Sequence, residues 1–187
     1  MEGIDVLKIA LTGRMRSGKD TVAQYLADIH NFQSFAFADG IRKVCALAFP
    51  GMLTQGRKPR KLYQGLGQDL RKYDPEVWIK YTFNEIEAAR NKSVIITDMR
   101  QPNEYRALRN KGFSIVRVNA SHATRLERMR AVGDEFEPAD LDHETERHIN
   151  TFVTDFELWN EGSVEELEIQ AEQMLEFLQR RGTPWVA

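Results

Sequence analysis

The sequence is poor in the features that mark disulfide-rich, membrane and secreted proteins. Cys45 is the only cysteine among 187 residues, which excludes an intrachain disulfide, argues against a cysteine-based metal site and predicts a reducing, cytoplasmic location. No apolar run reaches the roughly 18 residues of a transmembrane helix, so we expect no membrane-spanning segment. The first residues lack a basic stretch followed by an apolar run, so we expect no signal peptide.

An excess of either charge is also missing. The chain has 26 basic and 28 acidic side chains and a net charge of -2, which disfavours a protein that coats DNA or RNA. Residues 57–72 form a local basic stretch, but few aromatic side chains lie between the charges, so we do not expect nucleic-acid binding. With 42% hydrophobic and 29% charged residues, the composition supports a packed core in one domain of ordinary size.

The spacing of apolar residues alternates between the periods of strands and helices. Short apolar runs predict strands at residues 8–12, 34–37, 94–97 and 115–118. Three- and four-residue spacing, with capping residues, predicts helices that begin near Asp20, Asp39, Asp74-Pro75, Pro102 and Ser163. Asp39 and Asp74 are predicted N-caps, and Pro75 is predicted as the first residue of its helix. Residues 51–72, basic and rich in glycine, predict a partly mobile segment. The alternation as a whole predicts an α/β domain with a parallel sheet covered on both faces.

Two of these helices carry predictions about their faces. The spacing of the first helix predicts a buried apolar face made of Val22, Tyr25, Leu26 and Ile29. The last helix has an acidic side opposite its apolar residues, which we interpret as a solvated surface. Its members are Glu165, Glu166, Glu168, Glu172 and Glu176.

The strongest chemical signal is the stretch 13–21, Gly-Arg-Met-Arg-Ser-Gly-Lys-Asp-Thr. It fits the pattern G-x-x-x-x-G-K between a strand and a helix, which is typical of a phosphate-binding loop. Gly13 and Gly18 permit backbone conformations that turn the loop amides toward phosphate oxygens, and Lys19 can reach the β- and γ-phosphates. The residues predicted to hold ATP are Gly13, Arg16, Ser17, Gly18, Lys19, Asp20 and Thr21.

A metal site is predicted beside this loop. The residue after the lysine is usually Ser or Thr, whose hydroxyl holds Mg²⁺; here it is Asp20, with Thr21 one place later. A carboxylate also binds Mg²⁺, directly or through water, so either residue is a candidate. Asp98, at the end of the strand 94–97, is the second predicted ligand.

Several stretches in order resemble the phage-type deoxynucleoside monophosphate kinases, within the P-loop nucleoside monophosphate kinase superfamily. Ser-Gly-Lys-Asp-Thr at 17–21 resembles that group's loop, and Asp-Met-Arg-Gln-Pro-Asn-Glu at 98–104 its D-x-R-x-P-N-E stretch. Weaker similarities lie at residues 37–43, 63–71 with Trp78, 142–146 and 160–163. The end of the chain is also similar to dephospho-coenzyme A kinases, and the loop to animal-type phosphomevalonate kinases.

The resemblance implies transfer of a phosphoryl group from ATP, with Mg²⁺, to a nucleoside or deoxynucleoside monophosphate. It implies a three-layer α/β/α P-loop NTPase fold over residues 1–187, with an acceptor-binding insert at about 38–90 and a lid at about 121–150. The implied acceptor-binding residues are Asp39, Arg42, Lys43, Arg71, Asp98, Arg100 and Asn103. Lys19 is the expected catalytic residue of the loop, and Arg125 and Arg128, on one helical face, those of the lid.

Other functions stay open at this point. The acceptor could be a different small phosphate, such as phosphomevalonate or dephospho-coenzyme A. The chain could also bind ATP without catalysis, as a switch or assembly subunit. His143, in the stretch 142–146, is as compatible with a structural role as with a phosphate contact. We expect small-molecule nucleotides as partners and a monomer or homodimer.

Overall fold

A computed structural model describes residues 6–52, 59–89, 92–131 and 148–181. The chain divides into two compact units, one made of residues 1–34 and 91–187 and the other of residues 35–90. The stretch 142–146 and much of the expected lid lie outside the described residues. The assignment of 38–90 as an acceptor-binding insert and of 121–150 as a lid therefore stays a prediction. Among the described residues, no helix has both the length and the apolar character needed to cross a membrane.

The first unit is built on a five-stranded parallel sheet, which confirms the predicted fold class. The strands are β1 (Lys8–Thr12), β2 (Gln33–Phe35), β3 (Val94–Ile96), β4 (Ser114–Asn119) and β5 (Phe156–Trp159). Their order across the sheet is β2-β3-β1-β4-β5, so β1 is central. Ile9 of β1 stands opposite Ile95 of β3 and Ser114 of β4. The strand β5 was not predicted, because Leu158 is its only buried residue and the strand has no apolar run.

Seven α-helices occur in the part of the chain that the structure describes. They are α1 (Lys19–His30), α2 (Phe37–Ala48), α3 (Arg60–Tyr73), α4 (Val77–Ala88), α5 (Pro102–Asn110), α6 (His122–Ala131) and α7 (Val164–Arg181). Short 3-10 turns lie at Pro50–Met52 and Ile149–Thr151. The predicted capping box before α7 is confirmed, since Ser163 Oγ accepts the Glu166 N–H and the Glu166 carboxylate accepts the Ser163 N–H, both at 3.3 Å.

One face of the sheet packs against α1 and α7 to form the main core. The sheet contributes Ile9, Leu11, Ile95, Val116, Val118 and Leu158, and the helices contribute Val22, Ala23, Leu26, Leu167, Ala171, Met174, Leu175 and Leu178. Each fully buried aliphatic side chain of this size contributes about 2 kcal/mol relative to exposure. This packing fixes the direction in which α1 leaves the carboxyl end of β1.

The other face of the sheet carries the third layer. Side chains alternate along a strand, so Ile115 and Arg117 of β4 point away from α1 and α7. The guanidinium of Arg117 donates to the carbonyl oxygens of Ile149 (3.2 Å) and Phe152 (2.5 Å). The Phe152 ring stacks on Tyr105 of α5, with 5.0 Å between the ring centroids. Helix α5 thus lies on this second face.

The second unit consists of α2, α3 and α4, and it corrects one prediction. Residues 60–73 of the expected mobile segment form the regular helix α3, while residues 53–58 lie outside the described part. A Cβ on Gly67 would lie 2.9 Å from Ile41 Cδ1 of α2, and the Gly67 carbonyl accepts the Trp78 indole N–H at 3.0 Å. Gly67 therefore permits close packing of α3 against α2, whereas the glycines of this stretch had predicted a partly mobile segment.

Three local predictions about helices are wrong. Asp39 is not the N-cap of α2, because the helix begins two residues earlier, at Phe37, and the Asp39 carboxylate accepts the Ala36 N–H at 2.7 Å. Pro75 is not the first residue of α4, because Asp74 bonds the Glu76 N–H (2.9 Å) and closes a turn before Val77. Ile29 is 63% exposed and does not join the buried face of α1.

Glu172 on the acidic side of α7 is not simply solvated. Its Oε1 accepts the Tyr25 hydroxyl at 2.5 Å and lies 2.6 Å from His30 Nε2, so it ties α7 to α1. The hydrogen bond from Tyr25, followed by that from His30, lowers the pKa of Glu172. The same bond raises the pKa of Tyr25 to about 12. Because the pKa of Glu172 is depressed in the folded chain, this stabilisation is present above the ordinary carboxyl pKa and is lost as the pH falls below it.

Replacing Glu172 by glutamine is expected to lower the free energy of unfolding at pH 7 by about 1 kcal/mol, since the cluster is partly exposed. The difference from the unsubstituted chain should shrink as the pH falls from 5 toward 3 (roughly), where the carboxylate becomes protonated. Urea unfolding at a series of pH values measures both effects. Glu176→Gln, on the same helix, is the control; an equal loss in that variant would contradict the role of Glu172.

Candidate functional site

The loop between β1 and α1 has the backbone of a phosphate cradle. Gly13 and Gly18 adopt φ angles of +142° and +105°, and Arg16 has φ of 63°. A Cβ on Gly13 would lie 2.3 Å from the carbonyl oxygen of Val118 in β4, so glycine is required there for space as well as for conformation. The loop thus turns tightly over the carboxyl end of the sheet and opens directly into α1, whose N-terminus favours anions.

Lys19 is held against the inside of this loop. It is the first residue of α1, and it is only 8% exposed. Its Nζ donates to the carbonyl oxygens of Gly13 (2.7 Å) and Arg14 (2.9 Å). A buried ammonium group is costly unless it is hydrogen-bonded, and these bonds supply that compensation at the place where a phosphate would be bound.

A buried hydroxyl group of the loop indicates that the loop suits an anion. Thr12 Oγ1 and Ser17 Oγ have no hydrogen-bond partner among the residues that the structure describes. Ser17 is 1% exposed, and its Oγ lies 2.9 Å from the position of a Cβ on Gly13. Buried hydroxyls almost always find a partner. A phosphate oxygen is an acceptor that the Ser17 hydroxyl could use, so the residues of the loop fit a nucleotide phosphate.

The predicted metal ligands offer the oxygen donors that Mg²⁺ prefers. Asp20 is exposed and Thr21 half-buried in the first turn of α1. Asp98 follows β3, and the next residue, Met99, donates its N–H to Leu11 O at 3.2 Å, so this segment runs beside the end of β1. No group of three or more acidic, His or Cys side chains suited to a metal occurs among the described residues. A site of one or two carboxylates completed by phosphate oxygens is the usual arrangement for Mg²⁺.

The turn that carries Arg100 is shaped by a buried carboxylate. Glu104 is 4% exposed, and its Oε2 accepts the backbone N–H groups of Arg100 (2.8 Å) and Gln101 (2.9 Å). Asn103 Oδ1 in turn accepts the Glu104 N–H at 3.0 Å. Glu104 and the N-terminus of α5 therefore fix the direction of the chain after Asp98. In the sequence, the only indication of this role of Glu104 was the similarity of residues 98–104 to the D-x-R-x-P-N-E stretch.

The two arginines expected in the lid occupy different surroundings on α6. Arg125 is buried. Arg128 lies at the phosphate loop, where its Nη1 donates to Arg16 O (3.5 Å) and its Nη2 donates to both the carbonyl (3.2 Å) and Oδ1 (2.9 Å) of Asn160. Helix α6 thus brings one positive charge next to the loop that holds Lys19.

Asn160 and Glu161 belong to this region but were not among the predicted site residues. The Asn160 amide donates to Ser17 O at 2.9 Å. Glu161 accepts hydrogen bonds from the Thr124 hydroxyl (2.6 Å) and the Ser121 N–H, and these bonds lower the pKa of its carboxyl. Both residues follow β5 at the carboxyl end of the sheet. Had β5 been predicted from the sequence, the position of Asn160 and Glu161 directly after it would have indicated that they lie near the site.

The remaining predicted acceptor residues lie in the unit 35–90. On α2, Arg42 Nη2 and Asp39 Oδ1 are 2.5 Å apart, and Lys43 is 3.8 Å from Glu85 of α4. On α3, Arg71 Nη1 donates to Gly67 O at 3.4 Å. The structure thus pairs Asp39 with Arg42 and places Arg71 on a separate helix. The acceptor roles of these residues stay predictions.

Comparison with known proteins identifies a family and a fold. The sequence profile of the family described as AAA domain (AAA_18) matches residues 9–148. Uncharacterized protein ORF76 of Ictalurid herpesvirus 1 (strain Auburn) is 30% identical over 113 residues, which are 56% of this chain. The match covers 44% of that relative, so this chain corresponds to less than half of its length.

Solved structures with a similar fold include several small-molecule kinases. Shikimate kinase from Acinetobacter baumannii has a TM-score of 0.63 at 15% identity, with 95% of each chain covered. A gluconokinase from Sinorhizobium meliloti 1021 has a TM-score of 0.58 at 17% identity, covering 95% of this chain and 94% of that one. Dephospho-CoA kinase from Campylobacter jejuni has a TM-score of 0.52 at 15% identity, covering 92% and 97%. The chain therefore has the fold of the P-loop kinases.

The buried carboxylate of Glu104 leads to a prediction about stability. Glu104→Ala should lower the free energy of unfolding by about 2 kcal/mol, because two backbone N–H groups lose their acceptor at the start of α5. Thermal unfolding followed by circular dichroism measures this loss. Glu104→Gln keeps a side-chain oxygen as acceptor and should lose less than the alanine variant. An unchanged melting temperature in Glu104→Ala would show that the turn does not need this carboxylate.

Proposed function

We propose that this chain, which belongs to the AAA domain family, is an ATP-dependent kinase that converts a nucleoside or deoxynucleoside monophosphate to the diphosphate. The observation that carries the proposal is the loop between β1 and α1, where Lys19 Nζ lies within 2.9 Å of two loop carbonyl oxygens. The P-loop kinase fold supports phosphoryl transfer in general. The resemblance of residues 13–21 and 98–104 to the phage-type kinases supports the nucleotide as acceptor.

On the donor side, the loop amides and Lys19 would bind the β- and γ-phosphates of ATP. The hydroxyl of Ser17 offers a further donor in a buried setting. Arg128 adds a guanidinium at the same loop, where it can neutralise charge on the transferred group. Electrostatic interactions of this kind act most strongly where water is excluded.

Mg²⁺, when bound by Asp20 or Thr21 and by Asp98, would neutralise charge on the β- and γ-phosphate oxygens. In the transfer itself, an oxygen of the acceptor monophosphate forms a bond to the γ-phosphorus of ATP. The bond from that phosphorus to the β–γ bridging oxygen breaks, and ADP leaves with the electron pair. The attacking phosphate oxygen is already deprotonated near neutral pH, so the protein's task is positioning and charge neutralisation.

On the acceptor side, we propose that arginine forks hold the monophosphate. Arg42 and Arg71 lie on α2 and α3, and Arg100 lies on the turn held by Glu104. Guanidinium groups match two phosphate oxygens at once, which an ammonium does not. Asp39, Lys43 and Asn103 complete the proposed set.

The proposal is tested by an ADP-release assay with ATP and Mg²⁺ against all ribo- and deoxynucleoside monophosphates, phosphomevalonate and dephospho-coenzyme A. Turnover with a nucleoside monophosphate is expected. Turnover only with another acceptor would keep the loop chemistry and replace the substrate. ATP binding without any acceptor-dependent turnover would refute the kinase proposal in favour of a non-catalytic nucleotide-binding protein.

In the same assay, Lys19→Ala should lower kcat at least about 100-fold, because the transferred phosphoryl group loses its principal positive contact. Lys8→Ala is the matched control, since Lys8 is an exposed residue at the opposite end of β1. Circular dichroism and melting temperature establish that both variants are folded. Activity of Lys19→Ala equal to that of Lys8→Ala would exclude the loop as the donor site.

Arg71→Ala should raise KM for the acceptor about 10- to 100-fold, the loss expected for a charged hydrogen bond, with a smaller change in KM for ATP. Initial rates with each substrate varied in turn give both constants. Lys72→Ala, which removes the neighbouring exposed charge, should leave both near the unsubstituted values. A change confined to KM for ATP would place Arg71 on the donor side.

A further inference from the structure

We infer that Asn160 is a positioning residue of the phosphate loop: its side-chain amide fixes the peptide group between Ser17 and Gly18 and, through its oxygen, orients Arg128. The inference rests on the proposed function for its effect on turnover. Its effect on phosphate binding needs only that the loop binds phosphate. Asn160 makes no contact with the reacting atoms in this role; it acts through the loop and the arginine.

Asn160 is built into the sheet edge beside the loop. It follows β5 directly, its N–H donates to Asn119 O of β4 at 2.8 Å, and it is 6% exposed. Its Nδ2 donates to Ser17 O at 2.9 Å, and its Oδ1 accepts from Arg128 Nη2 at 2.9 Å. A carbonyl oxygen only accepts and a guanidinium only donates, so the chemistry of the two partners leaves one orientation for this amide.

The contact with Ser17 O determines where the Gly18 N–H points. The Ser17 carbonyl and the Gly18 N–H belong to the same planar trans peptide, and so they point in opposite directions. Holding the carbonyl on Asn160 therefore directs the Gly18 N–H away from Asn160, within the same peptide plane. Backbone N–H groups of such a loop are the donors that bind phosphate oxygens. Asn160 thereby preorganises one of these donors before phosphate arrives.

Gly18 and Asn160 also fit each other sterically. A Cβ on Gly18 would lie 2.1 Å from Asn160 Nδ2 and 3.3 Å from its Cγ. The amide group thus occupies the volume that any side chain at position 18 would need. The second glycine of the loop is required by this contact as well as by its φ of +105°.

The same residue holds Arg128. Both the carbonyl oxygen and Oδ1 of Asn160 accept hydrogen bonds from Arg128 Nη2, at 3.2 and 2.9 Å. Loss of the Asn160 side chain would remove one of these two bonds and one bond to the loop together. An effect on both phosphate affinity and kcat follows from this geometry.

A purely structural role for Asn160 would be to support the connection from β5 to α7. Gln170 of α7 supplies that kind of support to the neighbouring residue, since it accepts the Trp159 N–H at 2.8 Å and donates to Trp159 O at 2.9 Å. Within the described part of the chain, its side chain bonds Trp159 and Glu166 and makes no hydrogen bond to the loop at residues 13–18. Gln170→Ala is therefore the matched control, because it removes two hydrogen bonds from the same connection.

The test measures binding of ATP and of inorganic tripolyphosphate, each with Mg²⁺, by titration calorimetry for the unsubstituted chain, Asn160→Ala, Asn160→Asp and Gln170→Ala. The fitted stoichiometry measures the fraction of the protein that is folded, and Kd measures the affinity of the phosphate loop for the probe. We expect Kd for both probes to rise about tenfold in the two Asn160 variants, with unchanged stoichiometry, and to stay within twofold in Gln170→Ala. Asn160→Asp keeps the size and the acceptor for Arg128 but places an oxygen against Ser17 O.

Equal Kd values in Asn160→Asp and the unsubstituted chain would overturn the inference. So would equal changes in Asn160→Ala and Gln170→Ala, or a lower stoichiometry at constant Kd. If Asn160→Ala does not fold, the Kd values of the isosteric Asn160→Asp variant alone test the inference. Tight ATP binding by the unsubstituted chain without turnover on any acceptor refutes the proposed function. The inference about Asn160 is then judged by the Kd values of the variants alone. Absence of binding to both probes refutes both.

Discussion

The site depends on the close approach of Gly13 to the backbone of β4. A side chain at that position would meet the Val118 carbonyl at 2.3 Å, so only glycine lets the chain leave β1 and turn back over the sheet. That turn brings the loop carbonyls within reach of Lys19 and closes the loop onto the start of α1. The packing of α1 and α7 on the sheet then fixes the helix axis, and with it the direction of the N-terminal dipole.

A second layer of control comes from side chains that hold backbone groups. Glu104 holds the turn after Asp98, Glu161 holds the start of α6, and Asn160 holds the phosphate loop. Each lies at or after the carboxyl end of the parallel strands, where ligands of open α/β sheets are bound. The positions of the candidate chemical groups are therefore set by hydrogen bonds to side chains that were not among the predicted site residues.

The sequence predicted the parts of the molecule that depend on neighbouring residues. The loop at 13–21, the buried strand β1 and the capped helix α7 each have a continuous local pattern. Strand β5 has one buried residue and no such pattern, and the role of Asn160 was hidden with it. Likewise, Gly67 suggested a loose segment because its packing partner, Ile41, is distant in sequence. The conformation of these segments depends on tertiary contacts, which the local sequence pattern of one segment does not reveal.

The contact between Gly18 and Asn160 has an evolutionary consequence. A Cβ at position 18 would overlap the side-chain amide at position 160. The residue types at these two positions therefore cannot change independently during evolution. A shorter residue at 160 would relieve the overlap but would also release the Ser17 carbonyl and one bond to Arg128. Across homologous sequences, substitutions at these positions, far apart along the chain, should therefore be inherited together with compensating changes on α6.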